Sequence, residues 1–252
     1  MASTASRPVV ASQKVLSLLD HLHNQSRAQE SSFAMFLFYM GRYIRFLFSK
    51  QPQSSSFDDF VRDKFIALEP EKCDFLYLLA RASGAMNVVE AGTSFGVSTI
   101  YLALAVGQNV ASKSTEPVMP GKGGKVIATE KEESKAAKAR EHWQQAGQEV
   151  EPWIKLLEGD LLVTLPKQLG ETDAVDLLLL DIWTPLALPT LKLVKPKLRH
   201  GALVIADNTS SVKLLYKDLL DYIHDGTNGF RTMTTPFSGG LEVAVYLPEL
   251  AQ

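Results

Sequence analysis

Asn87-Val88-Val89-Glu90-Ala91-Gly92-Thr93-Ser94-Phe95-Gly96-Val97-Ser98 is the stretch from which the rest of the chain can be read. Its apolar start is a buried strand, and Val97–Val106 carries the helix that follows directly. Gly92 and Gly96 let the backbone turn sharply between the two and come close to a ligand. The spacing is Gly-x-x-x-Gly, so the Gly-x-Gly-x-x-Gly dinucleotide fingerprint is not met. Glu90 at the mouth of the turn opposes a pyrophosphate and suits a cationic or amino-bearing ligand. Ser98 is placed to cap the helix and bond that ligand.

Outward from this turn, β-rich runs alternate with helical segments. The strands are expected at 87–90, 125–130, 153–158, 175–181 and 202–207, and the helices between them at 97–106, 131–146, 161–169 and 186–198. Near-continuous apolar strands separated by helices predict a parallel sheet covered on both faces. A helix at 213–225 follows, then strands 230–235 and 241–247 as an antiparallel hairpin. Residues 107–124, rich in Gly, Pro, Ser and Lys, are expected to form a surface loop. Before the core (83–252), residues 1–12 read as a disordered tail and 13–82 as a helical extension with helices at 13–25, 31–48 and 57–82. Ser56 and Asp58 are placed to cap the third of these.

Composition bounds the function. Lys and Arg total 26 against 28 Asp and Glu, a formal charge of −2, so no basic field is available for nucleic acid. Cys73 is the single cysteine, which fits a reducing, cytoplasmic setting and a buried helical position. Phe33–Phe48 is apolar but interrupted by Arg42 and Arg45, and falls short of the roughly 20 residues a span needs. It reads as a buried helix, a lid or a dimer contact, with Phe36, Phe38, Tyr39 and Tyr43 in the core ahead of a role as aromatic walls. The leading residues lack the basic start and apolar run of a signal peptide.

Ligands of open parallel sheets sit beyond the carboxyl ends of the strands. There the second strand ends in Glu130, whose two oxygens suit a ribose diol, and the third in Glu158-Gly159-Asp160, an acceptor for an adenine amino group. Three acidic strand ends fit a nucleoside with an amino group and no phosphate. His21, His23, His142 and His224 show no ligand spacing and are expected to face solvent.

With Ile-Ala-Thr-Glu130, Glu158-Gly159-Asp160, Asp181-Ile-Trp183 and Val-Ile-Ala-Asp207-Asn208, the chain resembles the class I S-adenosylmethionine-dependent O-methyltransferases of the catechol and caffeoyl-coenzyme-A type over roughly residues 60–247. The resemblance implies an α/β, Rossmann-like, mostly parallel seven-stranded sheet. It implies methyl transfer to a hydroxyl of a small, phenolic molecule, and allows a homodimer. Glu90, Gly92, Ser94 and Ser98 would line the methionine and ribose end, and Glu130 would hold the ribose. Gly159, Asp160 and Trp183 would surround the adenine, and Gly96 and Asp181 complete the cofactor-binding set. Asp181, Asp207 and Asn208 stand where the family holds a divalent metal, usually magnesium. One departure matters. The family's lysine three residues after the fourth-strand aspartate is replaced by Thr184, leaving Asp181, the metal or His200 to act on the acceptor. A nicotinamide-dependent oxidoreductase, and a binding protein that keeps the fold without turnover, are the other readings.

Overall fold

The computed structural model describes residues 7–29, 67–170, 172 and 174–249. Seven strands form one sheet: β1 Asn87–Ala91, β2 Lys125–Glu130, β3 Ile154–Glu158, β4 Val175–Leu180, β5 Leu198–Asp207, β6 Phe230–Thr235 and β7 Leu241–Tyr246, in the order β3-β2-β1-β4-β5-β7-β6. Only β7 runs against the others, because a short hairpin can return the chain only antiparallel. The described helices are α1 Gln13–Gln29, α2 Pro70–Ala82, α3 Val97–Lys113, α4 Glu133–Ala146, α5 Leu161–Gly170, α6 Thr184–Val194 and α7 Lys217–His224. This is the expected α/β architecture with its C-terminal hairpin.

Alternation along the strands divides the core into two layers. Val88, Val126, Ala128, Leu177, Leu179 and Ile205 pack toward α1–α4. Val89, Ala91, Ile127, Leu178, Leu180 and Val204 pack toward α5–α7. Each fully buried Val, Leu or Ile contributes about 1.5–3 kcal/mol, so the central strands hold both layers in place.

Several boundaries differ from the sequence reading. The helix expected over 57–82 begins at Pro70, after three non-helical residues at 67–69. Proline lacks the amide a helix interior needs and is tolerated in the first turn. The expected loop at 107–124 is helical as far as Lys113. Gly107 does not break α3 because its bare Cα lies under the Trp153 indole; a Cβ there would meet Nε1 at 2.7 Å. Further along α3, the Asn109 amide donates to the Ala80 and Ala85 carbonyls, both at 2.8 Å. Residues 7–12, read as tail, form no helix or strand yet lie against the core, with Val9 buried and the Ser12 amide donating to Glu149 at 3.0 Å. His200 lies within β5 rather than before it.

Two histidines also depart from expectation. His23 is buried against the Tyr101 hydroxyl at 2.9 Å, and burial pushes its pKa down to about 4. His142 is buried on α4 with Nδ1 2.9 Å from the Phe95 carbonyl. His21 is exposed as expected, and His224, also exposed, pairs with buried Glu242 at 2.9 Å. Cys73 is buried as expected, and its desolvated thiol is pushed up, away from reactivity. No described helix is long and apolar enough to cross a membrane. The stretch 33–48 with its aromatics, and the caps Ser56 and Asp58, lie outside the described residues.

Candidate active site at the carboxyl edge

Register alone assembles the site. Ala91 pairs with Thr129 and Leu180, Glu130 with Glu158, and Leu180 with Ala206. One residue further along each strand, Glu158, Glu130, Gly92, Asp181 and Asp207 therefore stand in one row across the carboxyl edge. Loop amides lock it: Asp181 N donates to the Ala91 carbonyl at 3.0 Å, and Gly159 N to the Glu130 carbonyl at 2.9 Å.

Glu90 lies two residues inside the row and is fully buried. Its carboxylate accepts from Ser98 Oγ at 2.7 Å, Thr93 Oγ1 at 2.9 Å and Thr99 Oγ1 at 2.5 Å. Burial raises its pKa, the three hydroxyls pull it back, and the Glu130 charge adds a smaller rise. Glu90 therefore shapes the turn from within. Ser98 does not cap α3: it sits inside the helix and donates to Glu90, while the cap position is Gly96. Gly96 in turn gives its carbonyl to Trp143 Nε1 at 3.0 Å.

Gly92 has φ 93°, and a Cβ there would meet the Asp181 carbonyl oxygen at 2.0 Å. The close approach that requires glycine is thus between the β1 and β4 loops. Ser94 has φ 50°, a left-handed value uncommon outside glycine, and its amide donates to Glu130 Oε2 at 2.8 Å. Glu130 Oε1 accepts from Glu132 N at 2.8 Å. A carboxylate offers about four acceptor positions, so Glu130 is aimed by two amides and keeps two for a diol.

The flanks are less enclosed. Asp160 is exposed and caps α5 by accepting Leu162 N at 2.9 Å, beside half-buried Gly159. Trp183, immediately before α6, is 39% exposed. Thr184 opens α6 and carries no titratable group. His200 is exposed at the amino end of β5, seven residues before Asp207, and is not brought to this edge. At about 3.3 Å per residue, that separation is about 23 Å.

At the other side of the row stands a residue the sequence reading missed. Lys72 of α2 is 1% exposed, with Nζ 2.5 Å from Asp207 Oδ1 and 2.8 Å from Glu69 Oε2. Asp207 Oδ2 accepts from Asn208 Nδ2 at 2.8 Å. The signal was present: Lys72, Leu76 and Ala80 fall at i, i+4, i+8 on the buried face of α2. A lysine in that stripe needs a buried partner. Asp181 is partly exposed but densely surrounded, and no described side chain donates a hydrogen bond to it. Its pKa is raised to about 8, mainly by burial, then by Asp207 and Glu90, while Lys72 pulls it back. Asp207 is raised to about 6 by burial against the opposing pull of Lys72.

The expected metal set does not fit as arranged. Asp207 already pairs with an ammonium, and Asn208 presents an N–H to it.

Residues 89–209 match the family described as a methyltransferase domain. The chain is 28% identical over 144 residues to a catechol O-methyltransferase of Niastella koreensis, covering 57% of this chain and 58% of that one. It is 31% identical over 143 residues to a catechol O-methyltransferase of Mycobacterium tuberculosis, covering 57% of each. The match thus spans less than two thirds of either relative. The structure of an O-methyltransferase from Bacillus cereus in complex with SAH superposes with a TM-score of 0.60 at 20% identity, covering 81% of this chain and 96% of that one. These matches bear out the resemblance to the class I S-adenosylmethionine-dependent O-methyltransferases, and with it the fold.

Proposed function

We propose that this chain transfers the methyl group of S-adenosylmethionine to a hydroxyl of a small, phenolic acceptor. The observation that carries the reading is Glu130, held by two loop amides with two acceptor positions left, in one row with Asp181 and the β1 turn. That row suits a nucleoside bearing a diol and a positive charge. The bound donor supplies a sulfonium methyl, an electrophile that needs no further activation. Glu130 orients the ribose, and Trp183 and Asp160 flank the adenine. Asp181, whose carboxyl holds its proton in the free chain, accepts from the cationic end, where a bound positive charge favours its ionised form. An acceptor oxygen held in line forms its bond to the methyl carbon as the carbon–sulfur bond breaks. The electron pair goes to sulfur, and the hydroxyl proton leaves to water. Holding the partners in line supplies much of the acceleration.

The single cysteine and the apolar stretch at 33–48 keep a cytosolic homodimer within this proposal. A nicotinamide oxidoreductase is opposed by the Gly-x-x-x-Gly turn and by Glu90 beneath it.

Release of S-adenosylhomocysteine in the presence of a panel of phenols tests the activity. Turnover above the donor-only rate supports it; donor binding with no turnover on any acceptor would leave the non-catalytic binding protein. Glu130→Ala removes charge-assisted bonds worth about 1.5–3 kcal/mol, so donor affinity should fall about 10- to 100-fold. Unchanged affinity would remove Glu130 from the ribose site.

A further inference from the structure

The cation of this edge comes from the protein itself. The Lys72 ammonium is buried, lies 2.5 Å from Asp207 Oδ1 and 2.8 Å from Glu69 Oε2, and acts on Asp181 through space. Helix α2 delivers it: Pro70 fixes the start of the helix, while Leu76 and Tyr77 anchor it in the core. A magnesium ion needs carboxylate oxygens at about 2.0–2.1 Å with near-octahedral freedom around them. An ammonium already on Asp207 blocks that approach sterically and repels a second cation. Asn208 compounds this by giving Asp207 a hydrogen where a metal site needs an oxygen.

We propose that Lys72 is a positioning residue that takes the place of a divalent cation on Asp207, so that the site operates without metal. In doing so it restores, from a helix 135 residues away, a positive charge that Thr184 cannot supply. The catalytic half of this inference rests on the methyltransfer reading above; the metal-exclusion half does not.

The test is Mn2+ titration followed by electron paramagnetic resonance, on wild type, Lys72→Ala, Lys72→Arg, Asp207→Asn and the double variant Lys72→Ala/Asp207→Asn. S-adenosylhomocysteine release with and without EDTA runs beside it. Wild type and Lys72→Arg should leave the free Mn2+ signal unchanged. Lys72→Ala, with Asp207 released, should capture one Mn2+, and the double variant should lose it. A purely structural lysine would not create that site. EDTA should leave wild-type turnover unchanged.

Mn2+ bound by wild type and lost in Asp207→Asn overturns the proposal, as does a folded Lys72→Ala that binds none, or turnover abolished by EDTA. Should Lys72→Ala not fold, the wild-type titration and Asp207→Asn decide. If no acceptor is methylated, the function proposed above fails while the resonance data still judge Lys72.

Discussion

Gly92→Ala is expected to lower stability by about 2–6 kcal/mol, as much as half of what a typical domain possesses. Two costs combine. The backbone at Gly92 sits at φ 93°, where a side chain costs about 1–3 kcal/mol. The added Cβ meets the Asp181 carbonyl oxygen at 2.0 Å, and because that atom is backbone, relief means parting the β1 and β4 loops. Overpacking of this kind costs a further 1–3 kcal/mol, roughly. At about 2–4 °C per kcal/mol for a chain this size, the melting temperature should fall by roughly 5–20 °C. Gly170→Ala is the control, since a Cβ there has nothing within 4 Å. A Gly92→Ala protein that melts with wild type would mean the two loops do not approach as described.

Asp181→Asn should do the reverse, raising stability while weakening donor binding. The folded carboxyl has its pKa raised from 3.8 to about 8, chiefly by burial. The folded state therefore holds a proton that the unfolded state releases, and stability falls as pH rises from about 4 toward 8. At pH 7 the ionised reference favours unfolding by up to about 4 kcal/mol. Screening at a partly exposed group reduces this to about 1–3 kcal/mol. Asparagine keeps the shape and removes the titration. Its advantage in thermal melts should be largest near pH 8 and vanish near pH 4. No pH-dependent difference between the two proteins would remove the burial argument. Stability set aside at a binding site is a common trade against function.

Both effects sit where the sequence was easiest to read and hardest to complete. The order of strands and helices was legible because apolar runs such as Val175–Leu180 are too short and too continuous for anything but a doubly covered strand. Glu130, Asp181 and Asp207 were legible as a set because each ends a strand, and parallel register brings strand ends together. The details inside the turn were not. Ser98 looked like a cap and a ligand contact, but a buried carboxylate one turn away claims its hydroxyl. Gly92 was read for its approach to a ligand, whereas its nearest neighbour is another loop. Lys72 was not legible as a partner of Asp207, because it lies on a separate helix and ordinary pattern reading discounts a lone lysine as solvated surface. His200 was considered for want of a nearer base, and strand length alone removes it from the edge. Local pattern thus located the edge; tertiary partners decided what each side chain there is free to do.

The most direct measurement is isothermal titration of the chain with S-adenosylmethionine and, separately, with NAD. The expected result is saturable one-site heat for S-adenosylmethionine with a dissociation constant in the micromolar range, a binding free energy of about −8 kcal/mol, and no heat for NAD. Saturable heat with NAD and none with S-adenosylmethionine would contradict the assignment of this edge to a methyl donor.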